Sequence, residues 1–333
     1  MKRVLCFLSL FYQAGSRVKN ALYRIKLLRP KKGPLTVVSV GNITFGGSEK
    51  TPLVMALVAT LLQNGFKPAV VTRGYKGKWE GSGGVLSDGK SRSGTWAESG
   101  DEPFMISIKY PEIGVFVGKN RLLSCQKAHD MGFEVAILDD GFQHRRLSRD
   151  LDIVLFDPSE YLPLREPLSS VKRADILLLK KGADTKTVQS PLHKLQDGDT
   201  YFYSVFNEGF YTLDGLEKSV SSLMEKRVLA FCGIARPKRF RSHLEQAGIE
   251  PVHFIPFPDH FPYSSESIEQ ITEATHTHRA DVCITTEKDA VKIKGNQAFR
   301  NIPTYYLKIA IQTEEKLFEK TLSVIQRRGA PDV

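Results

Sequence analysis

Lys50 and Thr51 close a glycine-rich segment, Gly41-Asn42-Ile43-Thr44-Phe45-Gly46-Gly47-Ser48-Glu49-Lys50-Thr51-Pro52. A Lys-Thr pair in that position is the pattern of a phosphate loop. Backbone N–H groups and a helix N-terminus hold phosphate oxygens, the lysine reaches the β and γ phosphates, and the threonine hydroxyl binds Mg²⁺. Asn42, Gly46, Gly47, Ser48, Glu49, Lys50 and Thr51 are therefore candidate nucleotide-binding residues. The strict pattern has Gly directly before the lysine and another five residues earlier. Here those positions hold Glu49 and Thr44. A carboxylate at 49 is expected to weaken ATP binding by repulsion, and its Cβ to crowd a loop that needs positive φ. Without a ligand, the same stretch is a Gly-rich turn between a strand and a helix.

Asp139 and Asp140 end the apolar run Glu134-Val135-Ala136-Ile137-Leu138. Carboxylates at the end of a parallel strand are where phosphate-loop enzymes hold Mg²⁺. The bland alternative is an Asp-Gly turn. Three more clusters carry chemistry-bearing side chains: Asp101-Glu102 at a helix start, Gln143-His144-Arg145-Arg146 after the acidic pair, and Asp259-His260 after a strand-like run. Taken singly, they read as a helix cap, a solvated charge run and a loop histidine.

The elements that would position these groups alternate. Strands are expected at 35–40, 68–72, 113–117, 134–138, 152–156 and 175–179, and again from 227, through 251–257, 282–285 and 304–307. A helix is expected over Leu53 to Leu62, with Pro52 in its first turn and Gly65 past its end. The pattern predicts an α/β chain with a doubly wound sheet. Tyr201 to Phe206 and Phe210 to Leu213 read as a hairpin linking two α/β domains, 33–198 and 199–333, with the site between them. The chain has 333 residues, 41% hydrophobic and 25% charged, which excludes a disordered or fibrous protein. Its four cysteines form no C-x-x-C pair, which argues against a disulfide scaffold.

The net charge is +10, yet residues 1–32 contain nine Lys/Arg and no acid, leaving +1 for the remainder. That distribution argues against a nucleic-acid binder. Val4 to Tyr12 is apolar but too short to span a bilayer, which needs about 20 residues. Val18, Leu22 and Ile25 recur at helical spacing among Arg17, Lys19, Arg24 and Lys26. Such a segment is expected to lie in an anionic membrane surface; the alternative is a helix docked on the body.

Together the clusters resemble the tetraacyldisaccharide 4′-kinase family. The resemblance runs from about Phe11 to Thr286. It rests on Ser39-Val40-Gly41-Asn42-Ile43-Thr44, Lys50-Thr51-Pro52, Thr72-Arg73-Gly74-Tyr75, Gly100-Asp101-Glu102-Pro103, Asp139-Asp140-Gly141-Phe142-Gln143-His144, Arg165-Glu166-Pro167, Phe257-Pro258-Asp259-His260 and Thr285-Thr286-Glu287-Lys288-Asp289. It implies two α/β/α domains of the P-loop NTPase type joined by a β-hairpin linker, with ATP and Mg²⁺ as cofactors. The implied reaction is phosphorylation of the 4′-hydroxyl of a tetraacyl disaccharide 1-phosphate, a lipid A precursor. The implied location is monotopic, on the cytoplasmic face of the bacterial inner membrane.

By that resemblance Asp101 takes the hydroxyl proton with His260 as its partner, and Lys50 holds phosphate. Thr51, Glu102, Asp139 and Asp140 hold Mg²⁺, while Arg73, Arg121, Arg165 and His144 contact the acceptor. Two departures stand out: Glu49 replaces the family's Gly, and only Tyr161-Leu162-Pro163-Leu164 precedes Arg165 where family members usually carry a longer stretch. A phosphate-loop enzyme with a small soluble substrate, or a non-catalytic lipid-binding relative, are the competing readings.

Overall fold

The computed structural model describes residues 14–47, 49–160, 163–182 and 199–329. Ser48, the apolar run Val4 to Tyr12, Tyr161, Leu162 and most of the polar stretch after Gly182 lie outside the described residues.

The first half builds seven strands: β1 (Thr36–Asn42), β2 (Pro68–Thr72), β3 (Gly84–Asp88), β4 (Gly114–Val117), β5 (Val135–Asp139), β6 (Leu151–Phe156) and β7 (Ile176–Lys180). They lie in the order β7-β6-β1-β5-β2-β4-β3, all pairs parallel except β3 with β4. These strands are Val/Ile/Leu-rich because helices cover both faces of a parallel sheet and no polar alternation is left. The second half adds β10 (Val228–Cys232), β11 (His253–Pro256), β12 (Val282–Thr286) and β13 (Thr304–Thr313), with the order β11-β10-β12-β13.

One 13-stranded sheet contains both halves. The expected linker hairpin is instead one 14-residue strand, β8 (Asp199–Thr212). Asp199 to Tyr203 pair parallel with β7, and Tyr203 to Thr212 pair antiparallel with β13. A short hairpin does follow, with β9 (Glu217–Lys218) folding back on Phe210 and Tyr211. The last helix, Glu315–Gly329, departs from the expected 199–333 grouping. It returns to the first half, where Leu317 and Ile325 join the core of Val38, Leu57 and Ile153. Arg328 fixes it there by pairing with Asp150 and donating to the Gly33 carbonyl.

The helix Lys50–Gln63 packs its apolar side into the same core through Leu53, Val54, Leu57, Val58 and Leu61. Its position brings the glycine-rich segment to the carboxyl edge of β1. Gly41 is required there, since a Cβ would stand 2.5 Å from the Cβ of Phe142. The described part of the N-terminal helix spans 14–24. It docks by its polar side: Asn20 donates to Glu166, Arg145 donates to Asn20, and Arg145 stacks on the Tyr23 ring. Val18 on the helix is 61% exposed, and Ile25 and Leu27 just past its end are 66% and 70% exposed, whereas Leu22 is half-buried.

Candidate active site

A cleft of about 590 Å³ opens between the carboxyl edges of the two halves. Gly46, Gly47, Lys50, Thr51, Arg73, Asp101, Glu102, Asp139, Asp140 and Arg165 line it from the first half, and Arg236, Arg239, His260 and Lys288 from the second. Strand ends of a parallel sheet are the usual place for such a site, because the chain leaves each strand there as a loop.

The phosphate loop is held from below by Asn42. Its buried amide donates to the carbonyl and hydroxyl of Thr44, and its Oδ1 accepts from Lys50 Nζ at 3.5 Å. The Arg165 segment braces the loop from the side: Arg165 N–H donates to the Ile43 carbonyl, and Phe45 N–H to the Pro163 carbonyl. Gly46 sits at φ +94. Lys50 Nζ lies 3.1 Å from Asp140 Oδ1, and Arg165 lies 2.8 Å from Asp140 Oδ2. Burial raises the Asp140 pKa, but Lys50 and Arg165 outweigh it and hold the carboxyl well below the usual range. Asp139, deeper, is pushed up to about 7 by burial and by the Glu102 charge, which outweigh the pull of Lys50.

Glu49, the departure from the phosphate-loop pattern, adopts the left-handed backbone that a glycine would favour, at φ 58. Glu49 lines the cleft, and its carboxylate is held between two cations. Oε2 lies 2.8 Å from Lys180 and Oε1 lies 3.3 Å from Arg239.

Across the cleft, His260 Nδ1 lies 2.9 Å from both oxygens of Asp101. Asp101 is the buried first residue of the helix Asp101–Lys109, next to Gly100 at φ +95. His260 stands on the second half at φ 58, with its N–H donating to the Gly233 carbonyl. Two lysines complete the cluster. Lys288 Nζ is 2.9 Å from Glu102 and 3.9 Å from Asp101, and Lys292 Nζ is 3.4 Å from Asp101. Burial alone raises the Asp101 pKa, but Lys288, His260 and Lys292 prevail and keep it ionised. An ionised carboxylate has no proton to give, so His260 Nδ1–H is the donor. Nε2, 3.7 Å from Asp259, is left as the basic nitrogen.

Sequence reasoning gave Lys288, Lys292 and Asp289 no role. Asp289, fully buried, accepts from the Gly233 N–H and from Thr286, bracing the end of β10, whose Gly233 carbonyl accepts from His260. The signal was present in Thr-Thr-Glu-Lys-Asp, where Thr286 caps the helix Glu287–Ile293. Arg73 lines the cleft but spends Nε on Glu80 at 2.7 Å. Two expected acceptor contacts do not line it. Arg121 is 3% exposed and donates to the carbonyls of Gly118 and Asp139, so it holds the β5 end in place. His144 lies beside that group, its pKa lowered to about 4 by burial and by Arg121.

The oxygen set of Thr51, Glu102, Asp139 and Asp140 fits a hard cation such as Mg²⁺. Asp139 Oδ1 is buried without a hydrogen-bond partner. Among the described residues no group of three His, Cys, Asp or Glu forms a closed metal cage. Mg²⁺ does not need one, since it is commonly bound by one or two carboxylates plus phosphate and water.

A family model described as tetraacyldisaccharide-1-P 4′-kinase matches residues 1–326. A tetraacyldisaccharide 4′-kinase from Syntrophus aciditrophicus is 36% identical over 345 residues, covering 96% of this chain and 92% of its own. One from Desulfotalea psychrophila is 38% identical, covering 86% of each. A crystal structure from Aquifex aeolicus, described as LpxK in complex with ATP, matches with a TM-score of 0.76 at 31% identity and covers 98% of both chains. Matched by the family model over nearly its whole length and by curated relatives at 36% and 38% identity, the chain belongs to the tetraacyldisaccharide-1-P 4′-kinase family.

Proposed function

We propose that this chain transfers the γ-phosphate of ATP to the 4′-hydroxyl of a tetraacyl disaccharide 1-phosphate, a step of lipid A biosynthesis. One observation carries the reading. Lys50 at the phosphate loop and the Asp101–His260 pair line one cleft, with Lys50 and Asp101 from the first half and His260 from the second. Phosphoryl transfer needs the donor held, its charge neutralised, and a base beside the acceptor hydroxyl.

The loop amides and Lys50 bind the β and γ phosphates. Arrival of the nucleotide gives Lys50 a second anionic partner besides Asp140. Thr51, Glu102, Asp139 and Asp140 would hold Mg²⁺, which when bound supplies charge neutralisation at the phosphates. His260 Nε2 takes the hydroxyl proton. Asp101 fixes the tautomer and stabilises the imidazolium, and Lys288 and Lys292 keep Asp101 ionised. This reassigns the proton from Asp101 to the pair, because a carboxylate already held by two lysines and an imidazole has little basicity left. Arg165, and Arg73 once released from Glu80, suit the acceptor's sugar or phosphate, since the guanidinium fork binds phosphate bidentately.

The exposed Val18, Ile25 and Leu27, flanked by basic residues, support docking on an anionic membrane surface at the cytoplasmic face of the inner membrane. No helix among the described residues is long and apolar enough to cross a bilayer. The deciding experiment incubates purified protein with Mg-ATP and detergent-dispersed disaccharide 1-phosphate. The expected product is the bisphosphorylated lipid, absent with Lys50→Ala. Binding of the lipid with no phosphate transferred would overturn the reading.

A further inference from the structure

Glu49 belongs to a ring of four alternating charges. Its carboxylate meets Lys180 at 2.8 Å and Arg239 at 3.3 Å, and Asp157 meets Arg239 at 2.7 Å and Lys180 at 3.6 Å. The two carboxylates are 9% exposed and the two cations 23% and 16%. Three members come from the first half: the phosphate loop, the end of β6 and the end of β7. The fourth, Arg239, comes from the helix Pro237–Gln246 of the second half. Arg239 NH1 also donates to the Gly47 carbonyl at 3.4 Å, so it grips the loop by backbone as well as by side chain. Arg236, at the cap of the same helix, stands beside Gly46, where an added Cβ would lie 3.4 Å from its Nε.

Given the nucleotide-binding reading above, we propose that Glu49 is a positioning residue: it clasps Arg239 of the second half to the phosphate loop and so sets the loop for ATP. The ring sums to zero charge, so the Glu49 carboxylate is neutralised where it stands and adds little repulsion at the phosphates. Its left-handed backbone follows from the same task, because the chain must turn there while the side chain reaches Lys180 at the end of β7. A glycine would meet the turn equally well and lose the clasp. Cations left without their partners in a partly buried ring relocate or draw in water, and the loop they held loosens.

Two physical effects predict opposite signs, which makes the test decisive. If Glu49 chiefly repels ATP, neutralising it lowers KM for Mg-ATP. If it clasps, neutralising it raises KM. Steady-state kinetics on Glu49→Gln, Glu49→Gly, Arg239→Gln and the Glu49→Gln/Arg239→Gln pair separate them. We expect each single variant to raise KM for Mg-ATP about tenfold, with the loss falling on KM rather than kcat. The double variant should be no worse than the worse single one, because both break the same contact. A KM that falls or stays level in the Glu49 variants, or losses that multiply in the double variant, overturns the clasp. If Glu49→Gly does not fold, Asp157→Asn tests the ring from its other side with the same KM readout. Wild-type protein that fails to bind Mg-ATP would overturn the kinase reading instead, so the two failures are distinguishable.

Discussion

Asp101 and His260 lie 159 residues apart and meet at 2.9 Å only because two halves of the molecule face each other. Neither has the same chemistry alone. Without Asp101 the imidazole loses its fixed tautomer, and without His260 the carboxylate is a poor base among lysines. Asp101→Ala and His260→Ala are each expected to lower kcat by about 10²–10⁴-fold, typical of general base catalysis. KM for Mg-ATP should change little, and the double variant should be no worse than the worse single one. A loss carried by KM would mean the roles are misassigned. His144 offers a second test at this scale. Its folded pKa of about 4 lies below the ordinary value of about 6.5, so the fold favours the neutral ring. That contribution is complete above pH 6.5 and is lost as pH falls toward 4. Denaturant melts from pH 7 to 4.5 should show wild type losing more stability than His144→Gln. Parallel curves would remove His144 from the acid response.

At the scale of elements, the N-terminal helix is the one whose two faces have separate tasks. Lys19, Asn20 and Tyr23 hold it to the body, and Val18 and Ile25 remain outward. Val18→Glu with Ile25→Glu should therefore reduce sedimentation with anionic vesicles by about tenfold or more while ATP affinity is kept. Unchanged vesicle binding would mean the outward face is not the docking face. The elements differ in how far the sequence revealed them. Buried parallel strands such as β1 and β5 announce themselves as β-branched runs, and the phosphate loop and Asp139-Asp140 follow directly from their ends. β3 was not legible. It is a five-residue edge strand between Gly84 and Asp88, with an antiparallel partner that no local pattern specifies. At β8 the two apolar runs Tyr201 to Phe206 and Phe210 to Leu213 suggest a hairpin. Its true partner, β13, lies about a hundred residues downstream, and local propensity is blind to such pairing. The same blindness hid Lys288, Lys292 and the partners of Glu49. Each is an ordinary charge in the sequence and becomes a site residue only through a contact with residues far away along the chain.

On the whole-molecule scale, the two halves share a backbone as well as a site. The final helix crosses back to the first core, the ring around Glu49 crosses near the phosphate loop, and Lys76 donates to the Asp259 carbonyl at 2.9 Å beside His260. The cleft is thus bounded at both ends by contacts that nucleotide and acceptor must fit between.

The long ladder of β8 along β13 governs how that space can change. Lobes on a flexible tether swing freely; lobes that share a hydrogen-bonded ladder do not. Any widening must be absorbed as twist along the ladder, and its one irregular rung falls between Lys308 and Ile309, where Glu208 is the extra residue on β8. Torsion concentrated at that rung would turn the second half as a rigid vane about the strand axis. His260 and Arg239 would then travel together along linked arcs, so proton acceptor and loop grip would engage in a single stroke.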